Sequence, residues 1–212
     1  MIGLIGKKIG MTTVFDHSGN TVAVTVVKSG PCVVTDIKTS GKNGYNSLQL
    51  GFEEKKKSRL IKPEKAKFEK LKINVPMHIK EFRLNQGADE FKIGQFLTLE
   101  IFEKDAFIDV QAVSKGKGFQ GVMKKYGFKG GPDTHGSNFH RRLGSAGNNT
   151  FPGRIWKNKK MPGRMGNAVK TVQNLKIIEI DKQNNIILLK GSVPGPTNGI
   201  VFLKKAAKQR LK

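Results

Sequence analysis

The sequence predicts a mainly β protein, a closed antiparallel barrel or sandwich with a small helical insert and a long irregular basic extension. Three observations predict it. Short apolar runs, some with strict alternation, are separated by Gly/Asn/Pro turns near both ends of the chain. Just one short stretch reads as a helix. Between the two sets of strands lies Ser114–Lys170, where neither a period of 2 nor one of 3.6 persists.

The elements follow in order. Lys8–Phe15 and Thr21–Val27 flank Asp16-His17-Ser18-Gly19-Asn20, a hairpin turn, and Val22, Val24 and Val26 alternate onto one face. Cys32–Ile37, Ser47–Phe52, Phe96–Phe102 and Phe107–Val113 are further short strands. The helix spans Pro63–Leu71, with Pro63 near its first turn. It lies in Glu53–Lys72, a run with nine basic and four acidic residues that reads as a solvated excursion, the start of an insert over about 53–90. Val172–Ile180 and Ile186–Lys190 form a hairpin around Asp181-Lys182-Gln183-Asn184-Asn185. Pro194–Gly199 is a turn, and Ile200–Leu203 is the last strand. A globular domain of residues 1–113 and 171–212 is therefore expected to carry the extension 114–170 as a loop between two of its strands. A structureless loop of that length is tolerated where it is functional. Its two arms, each about 28 residues, reach roughly 90 Å at full extension.

Charge points to the partner. The 212 residues hold 39 Lys and Arg against 16 Asp and Glu, a formal charge of +23. Such a chain repels itself and calls for a polyanion, nucleic acid before a membrane surface. The segment Ser114–Lys170 has nine Lys, four Arg and a single acid, Asp133, and it holds 12 of the 25 glycines. Its large apolar residues stand apart, so it buries too little to offset its ordering entropy, and it is expected to take its shape on a polyribonucleotide. No apolar run is long enough for a membrane helix, and no basic region followed by a long apolar stretch opens the chain. The one cysteine, Cys32, fits a reducing compartment.

Several motifs have competing readings. Gly116-Lys117-Gly118-Phe119-Gln120-Gly121 matches a dinucleotide fingerprint and follows a strand, but that fold needs a helix and a second strand next. Gly127, Gly130, Gly131 and Pro132 argue against the helix. Glycines between lysines instead let backbone lie close to phosphates. His135 and His140 have no cysteine near them and no zinc spacing, so no metal is expected. Ser114, Ser137 and Ser145 lack a nucleophile context and acids are sparse, so no catalytic residue, no cofactor and no enzyme activity is expected. Phe139, Arg141, Arg142, Arg154, Trp156, Lys157, Lys159 and Lys160 interleave planar and cationic groups, which suits stacking on unpaired bases beside neutralised phosphates. The tail Lys204–Lys212 adds five basic residues. From composition alone, a sequence-neutral nucleic-acid-binding or RNA-chaperone protein is the alternative.

At these residues the chain resembles the universal large-subunit ribosomal protein L-three family of bacterial type. Met1-Ile2-Gly3-Leu4-Ile5-Gly6-Lys7-Lys8-Ile9-Gly10-Met11-Thr12 is similar to the family's opening. The family signature runs here as Phe102, Asp109, Ala112, Ser114, Gly116-Lys117-Gly118 and Gly121. Its closing Arg is Lys125, which keeps charge and loses bidentate geometry. Thr134–Ser145 and Lys159–Asn167 are also similar.

The resemblance implies a translation-protein-type β-barrel and a structural constituent of the large ribosomal subunit. It implies binding to 23S-type rRNA early in subunit assembly, contact with neighbouring ribosomal proteins, a cytoplasmic ribosomal location, no membrane and no homo-oligomer. The rRNA-binding residues would be Lys7, Lys8, Lys115, Lys117, Lys124, Lys125, Lys129, His135, His140, Arg141, Arg142, Arg154, Trp156, Lys157, Lys159, Lys160 and Arg164. The tip matching the approach to the peptidyl transferase centre is Asn148-Asn149-Thr150-Phe151-Pro152-Gly153. Some family members carry a methylated glutamine where Thr150 stands here, and threonine has no such amide.

Overall fold

A computed structural model describes residues 3–16, 18–84, 90–102 and 107–208. Part of the family-like opening (Met1, Ile2), His17 of the first turn, a stretch of the expected insert (85–89) and the end of the basic tail (209–212) lie outside the described residues. The chain divides into two compact units, residues 1–113 with 169–212, and residues 114–168.

The first unit is mainly β. Its strands are β1 (Gly3–Phe15), β2 (Thr21–Ser29), β3 (Cys32–Lys38), β4 (Ser47–Glu54), β5 (Pro76–Arg83), β6 (Phe96–Leu97) and β7 (Phe107–Val113). The short strands β8 (Phe119–Gln120) and β9 (Gly163–Arg164) belong to the second unit. After residue 168 come β10 (Val169–Asp181), β11 (Ile186–Lys190) and β12 (Ile200–Lys205). Six strands of the first unit pair antiparallel in a ring of order β1-β12-β7-β10-β11-β2, with β2 returning to β1. A ring leaves no unpaired edge along its closed girth. The other four form a sheet of order β5-β4-β3-β6.

The core draws on β1, β2, β7, β11 and β12 of the ring, and β1 buries consecutive residues. Leu4 and Ile5 of β1, Val27 of β2, Ile108 and Val110 of β7, Ile187 and Leu189 of β11, and Val201 and Leu203 of β12 are all buried. They join one cluster with Val34, Leu48, Leu50 and Phe82 of the four-stranded sheet. That shared burial, rather than any local propensity, holds the two sheets together. On β2, Val24 is buried while Val22 and Val26 are half-buried, and Thr25 is also buried and donates to the Gly191 carbonyl at 2.6 Å.

Four expectations need correction. Pro76–Arg83 is a strand, although Lys80, Glu81 and Arg83 give it the composition of a solvated insert; it is an edge strand, where charge is tolerated. Phe96–Phe102 is a two-residue strand followed by a 3-10 turn, Leu99–Phe102, which buries Leu99 and Phe102. The last strand runs on through Lys204 and Lys205, so the start of the basic tail is paired sheet. A four-residue helix α1 (Ser40–Asn43) joins β3 to β4, and the insert is not wholly solvated: a helix α2 spans Lys62–Lys70 in it, and Phe68 on that helix is buried. Pro63 occupies the first turn of α2, Glu64 lies near its positive end, and Lys67 and Lys70 near its negative end.

Candidate nucleic-acid interface

Residues 114–168 form the second unit. Its two ends run antiparallel and bond to each other. The Ser114 N–H donates to Ala168 O at 2.9 Å, the Lys117 N–H to Met165 O at 2.9 Å, and the Met165 N–H to Gly118 O at 2.9 Å. The Ala168 N–H donates to the Ser114 hydroxyl oxygen at 3.3 Å. The ladder continues as β8 against β9. Gly166 permits this closure. Its φ is +72°, and a Cβ there would strike the Lys115 carbonyl oxygen.

The dinucleotide-like glycines thus lie in a ladder. A helix does follow them, contrary to the expectation from glycine content. It is α3, Val122–Tyr126, and its five residues fit between an extended Gly121 and a left-handed Gly127. The Gly127 N–H closes the turn on Met123 O at 2.8 Å, and Val122 is buried. The nucleotide fold is still excluded, because Phe119 and Gln120 inside the motif pair with Arg164 and Gly163 instead of opening the helix.

A second close approach brings Gly131 against Phe139 and His140. The Gly131 N–H donates to His140 O at 2.8 Å, and a Cβ on Gly131 would overlap the Phe139 carbonyl oxygen. His140 Nδ1 is 3.0 Å from Pro132 O and 3.7 Å from Asp133 Oδ1. Among the described residues no group of three or more His, Cys, Asp or Glu could hold a metal ion.

Most predicted contact residues in this unit are exposed: Lys115, Lys117, Lys124, Lys129, His135, His140, Arg141, Arg142, Arg154, Trp156, Lys157, Lys159, Lys160 and Arg164. Lys125 is half-buried. At the tip, Asn148, Asn149, Thr150, Phe151 and Gly153 are exposed and Pro152 is half-buried; Phe151 is 78% exposed. In the sequence Tyr126 is an isolated aromatic. The structure gathers cations from both arms around it, with Lys125 Nζ 5.1 Å and Lys160 Nζ 5.8 Å from its ring centre. Arg154 lies 5.0 Å from the Trp156 ring. Nothing in the spacing of residues 126 and 160 signals that meeting.

The lysines of the two units differ in their company. In the first unit Lys7 pairs with Glu53 at 3.3 Å, Lys38 with Glu81 at 2.5 Å and Lys55 with Glu64 at 2.6 Å. Lys38 is pushed up to about 12 by its hydrogen bonds to Glu81 and Tyr45, and Glu81 is held below the usual carboxylate range chiefly by Lys38. In residues 114–168, among the described residues, no Lys or Arg has a carboxylate within ion-pair distance. Their charge is left for an external anion.

Lys8 is a correction. Its side chain is buried, and Nζ donates to the Val193 carbonyl at 2.8 Å, so it does not face solvent as a phosphate contact would. Lys7, half-buried and paired with Glu53, is a weak candidate for the same reason.

The profile of the family described as Ribosomal protein L3 matches residues 54–186. The large ribosomal subunit protein uL3 of Brachyspira pilosicoli is 50% identical over 212 residues, covering 100% of this chain and 97% of the relative. The uL3 protein of Thermotoga petrophila is 48% identical over 203 residues, 96% of each chain. That of Geobacter sulfurreducens is 45% identical over 208 residues, 98% of this chain and 99% of the relative.

Proposed function

The chain belongs to the ribosomal protein L3 family, and on that premise we propose that its second unit is an rRNA-penetrating loop mounted on a translation-protein-type barrel. The protein is a structural constituent of the large ribosomal subunit, binds rRNA and is not an enzyme. Its neighbours there are rRNA and other ribosomal proteins, in the cytoplasmic ribosome.

The observation that carries the loop reading is the set of exposed cations without carboxylate partners between residues 114 and 168. Phosphates brought close in folded RNA repel one another, and a ladder of glycine and lysine fits between them with N–H and ammonium groups both aimed at anions. Trp156, Arg154 and the Tyr126 cluster supply planar surfaces for unpaired bases. The tip Asn148–Gly153 points toward the peptidyl transferase centre in this reading, where it tunes the surroundings and donates no catalytic group. The ring of six strands is the barrel, the segment over about 53–90 its insert, and 114–170 the functional extension. Early binding in assembly follows from a loop that must be enclosed by RNA rather than added to it.

The test replaces residues 115–167 with a short Gly-Ser linker and measures binding to a large-subunit rRNA fragment over a salt series. The body should keep its β circular dichroism while affinity falls and the salt slope flattens by about 0.7–0.9 for each phosphate no longer neutralised. Unchanged affinity and slope would remove the loop from the interface. Equal affinity of the full chain for duplex DNA at the same salt would favour a sequence-neutral binder.

A further inference from the structure

Between Ile9 and Val27 the only charged side chain is Asp16, in a chain where 26% of residues are charged and most of those are basic. This stretch is the outer part of the β1–β2 hairpin. β12 pairs with β1 only over Gly3–Lys7, and β11 pairs with β2 only over Val24–Lys28. Beyond those points no strand among the described residues other than β2 pairs with β1, so Ile9–Phe15 presents an open edge. The same segment exposes apolar side chains: Met11 is 51% and Phe15 77% exposed. Met11, Thr13 and Phe15 alternate onto one face, and their cross-strand partners are Thr25, Ala23 and Thr21. That face bears no cation.

We propose that this hairpin edge docks an extended, uncharged segment of a neighbouring large-subunit protein by strand addition, with Met11 and Phe15 as its apolar anchors. The inference rests on the ribosomal reading above. An RNA partner would need cations here to neutralise its phosphates, and an apolar face against a phosphate backbone would be desolvated without return. A protein strand meets both features at once. Its main chain satisfies the open edge, and its alternate side chains pack on Met11 and Phe15. Unpartnered apolar edges are otherwise an aggregation hazard, so a permanent occupant in the assembled particle accounts for their presence.

The test places a photo-crosslinking amino acid at position 15, and separately at position 151 in the basic unit, in full-length chains assembled into large subunits. The position-15 product is expected to keep its gel shift after ribonuclease treatment, and mass spectrometry should find a peptide of another large-subunit protein without excess Lys or Arg. The position-151 product should lose its shift with ribonuclease. A position-15 crosslink to rRNA, to a second copy of this chain or to a Lys/Arg-rich peptide overturns the hairpin proposal, as does no crosslink when position 151 reacts. A position-151 chain that never reaches rRNA overturns the ribosomal reading, and the hairpin's partner falls with it.

Discussion

Asp109 and Asn174 lie 65 positions apart, and the carboxylate Oδ1 of the first accepts the backbone N–H of the second at 2.9 Å. Asn174 has φ +56° and sits where the register of β10 against β7 shifts between Val172 and Leu175. The other oxygen, Oδ2, accepts the Ala207 N–H at 3.2 Å, just past β12. One buried carboxylate thus fixes an irregularity in β10 and the exit of β12. Asp109→Ala should lower unfolding stability by about 3 kcal/mol, since charge-assisted acceptors are removed and two N–H groups are orphaned. Denaturant titration of the two proteins measures it. A loss below about 0.5 kcal/mol, the range of inert surface changes, would show that the carboxylate does not hold these strands.

Lys8 and Lys117 separate stability from affinity. Lys8→Met removes the buried donor to Val193 O and leaves that carbonyl unpaired, a loss of about 1–3 kcal/mol with rRNA affinity retained. Lys117→Met removes an exposed cation, so stability should stay within about 0.5 kcal/mol. Its salt slope for rRNA binding should fall by about 0.7–0.9, and affinity with it, across unrelated RNA sequences. Melting curves and filter binding over a salt series on both variants check this. An affinity loss confined to Lys8→Met would reverse the assignment.

The sheet was legible where alternation and turn residues agreed. β2 shows through the alternation of Val22, Val24 and Val26, whereas β3, β7 and the hairpin β10–β11 around Asp181–Asn185 show as short apolar runs bounded by turn residues. β5 was hidden because charge falls on both of its faces, Lys80 on the face of the buried Phe82 and Glu81 with Arg83 on the other. The split of Phe96–Phe102 was hidden because Leu99 and Phe102 are buried by tertiary packing, which alternation cannot distinguish from a strand. In the candidate site, the excess of charge identified the segment and its exposed residues. It could not show that Lys8 turns inward, nor that Lys125 and Lys160 meet at Tyr126, since both depend on partners far along the chain.

Cys32 gives the fold a pH signature. It is fully buried, and burial pushes its thiol up to about 12 from an ordinary value of 9.0, against the opposing hydrogen bonds with Ile5 and Gly30. The unfolded thiol therefore ionises first as pH rises, and the unfolded state binds fewer protons than the fold. The stability contribution is complete below about 9 and is lost as pH climbs toward about 12. Cys32→Ala should flatten the fall of stability over that interval, though packing loss lowers the curve throughout. A thiol reagent at pH 8 should leave Cys32 unmodified in the native protein and label it fully in denaturant. Rapid native labelling would contradict the burial.

Gly166 and Gly118 share a left-handed backbone, φ +72° and +67°, but differ in surroundings. At Gly166 a Cβ meets the Lys115 carbonyl oxygen, whereas at Gly118 nothing lies within 4 Å. Both alanine variants bear the strain of a positive φ, roughly 1–2 kcal/mol. Gly166→Ala alone must also displace the opposite arm, which breaks the ladder that holds the Lys117 and Met165 amides. Hydrogen exchange at those two amides should therefore speed up by at least about tenfold more in Gly166→Ala than in Gly118→Ala, about 1.4 kcal/mol of extra opening. The affinity for rRNA should follow the same order, because cations on two separated arms cannot present one surface. Equal exchange in the two variants would mean that strain, not collision, governs the base of the loop, and the two arms would then not depend on close approach at Gly166.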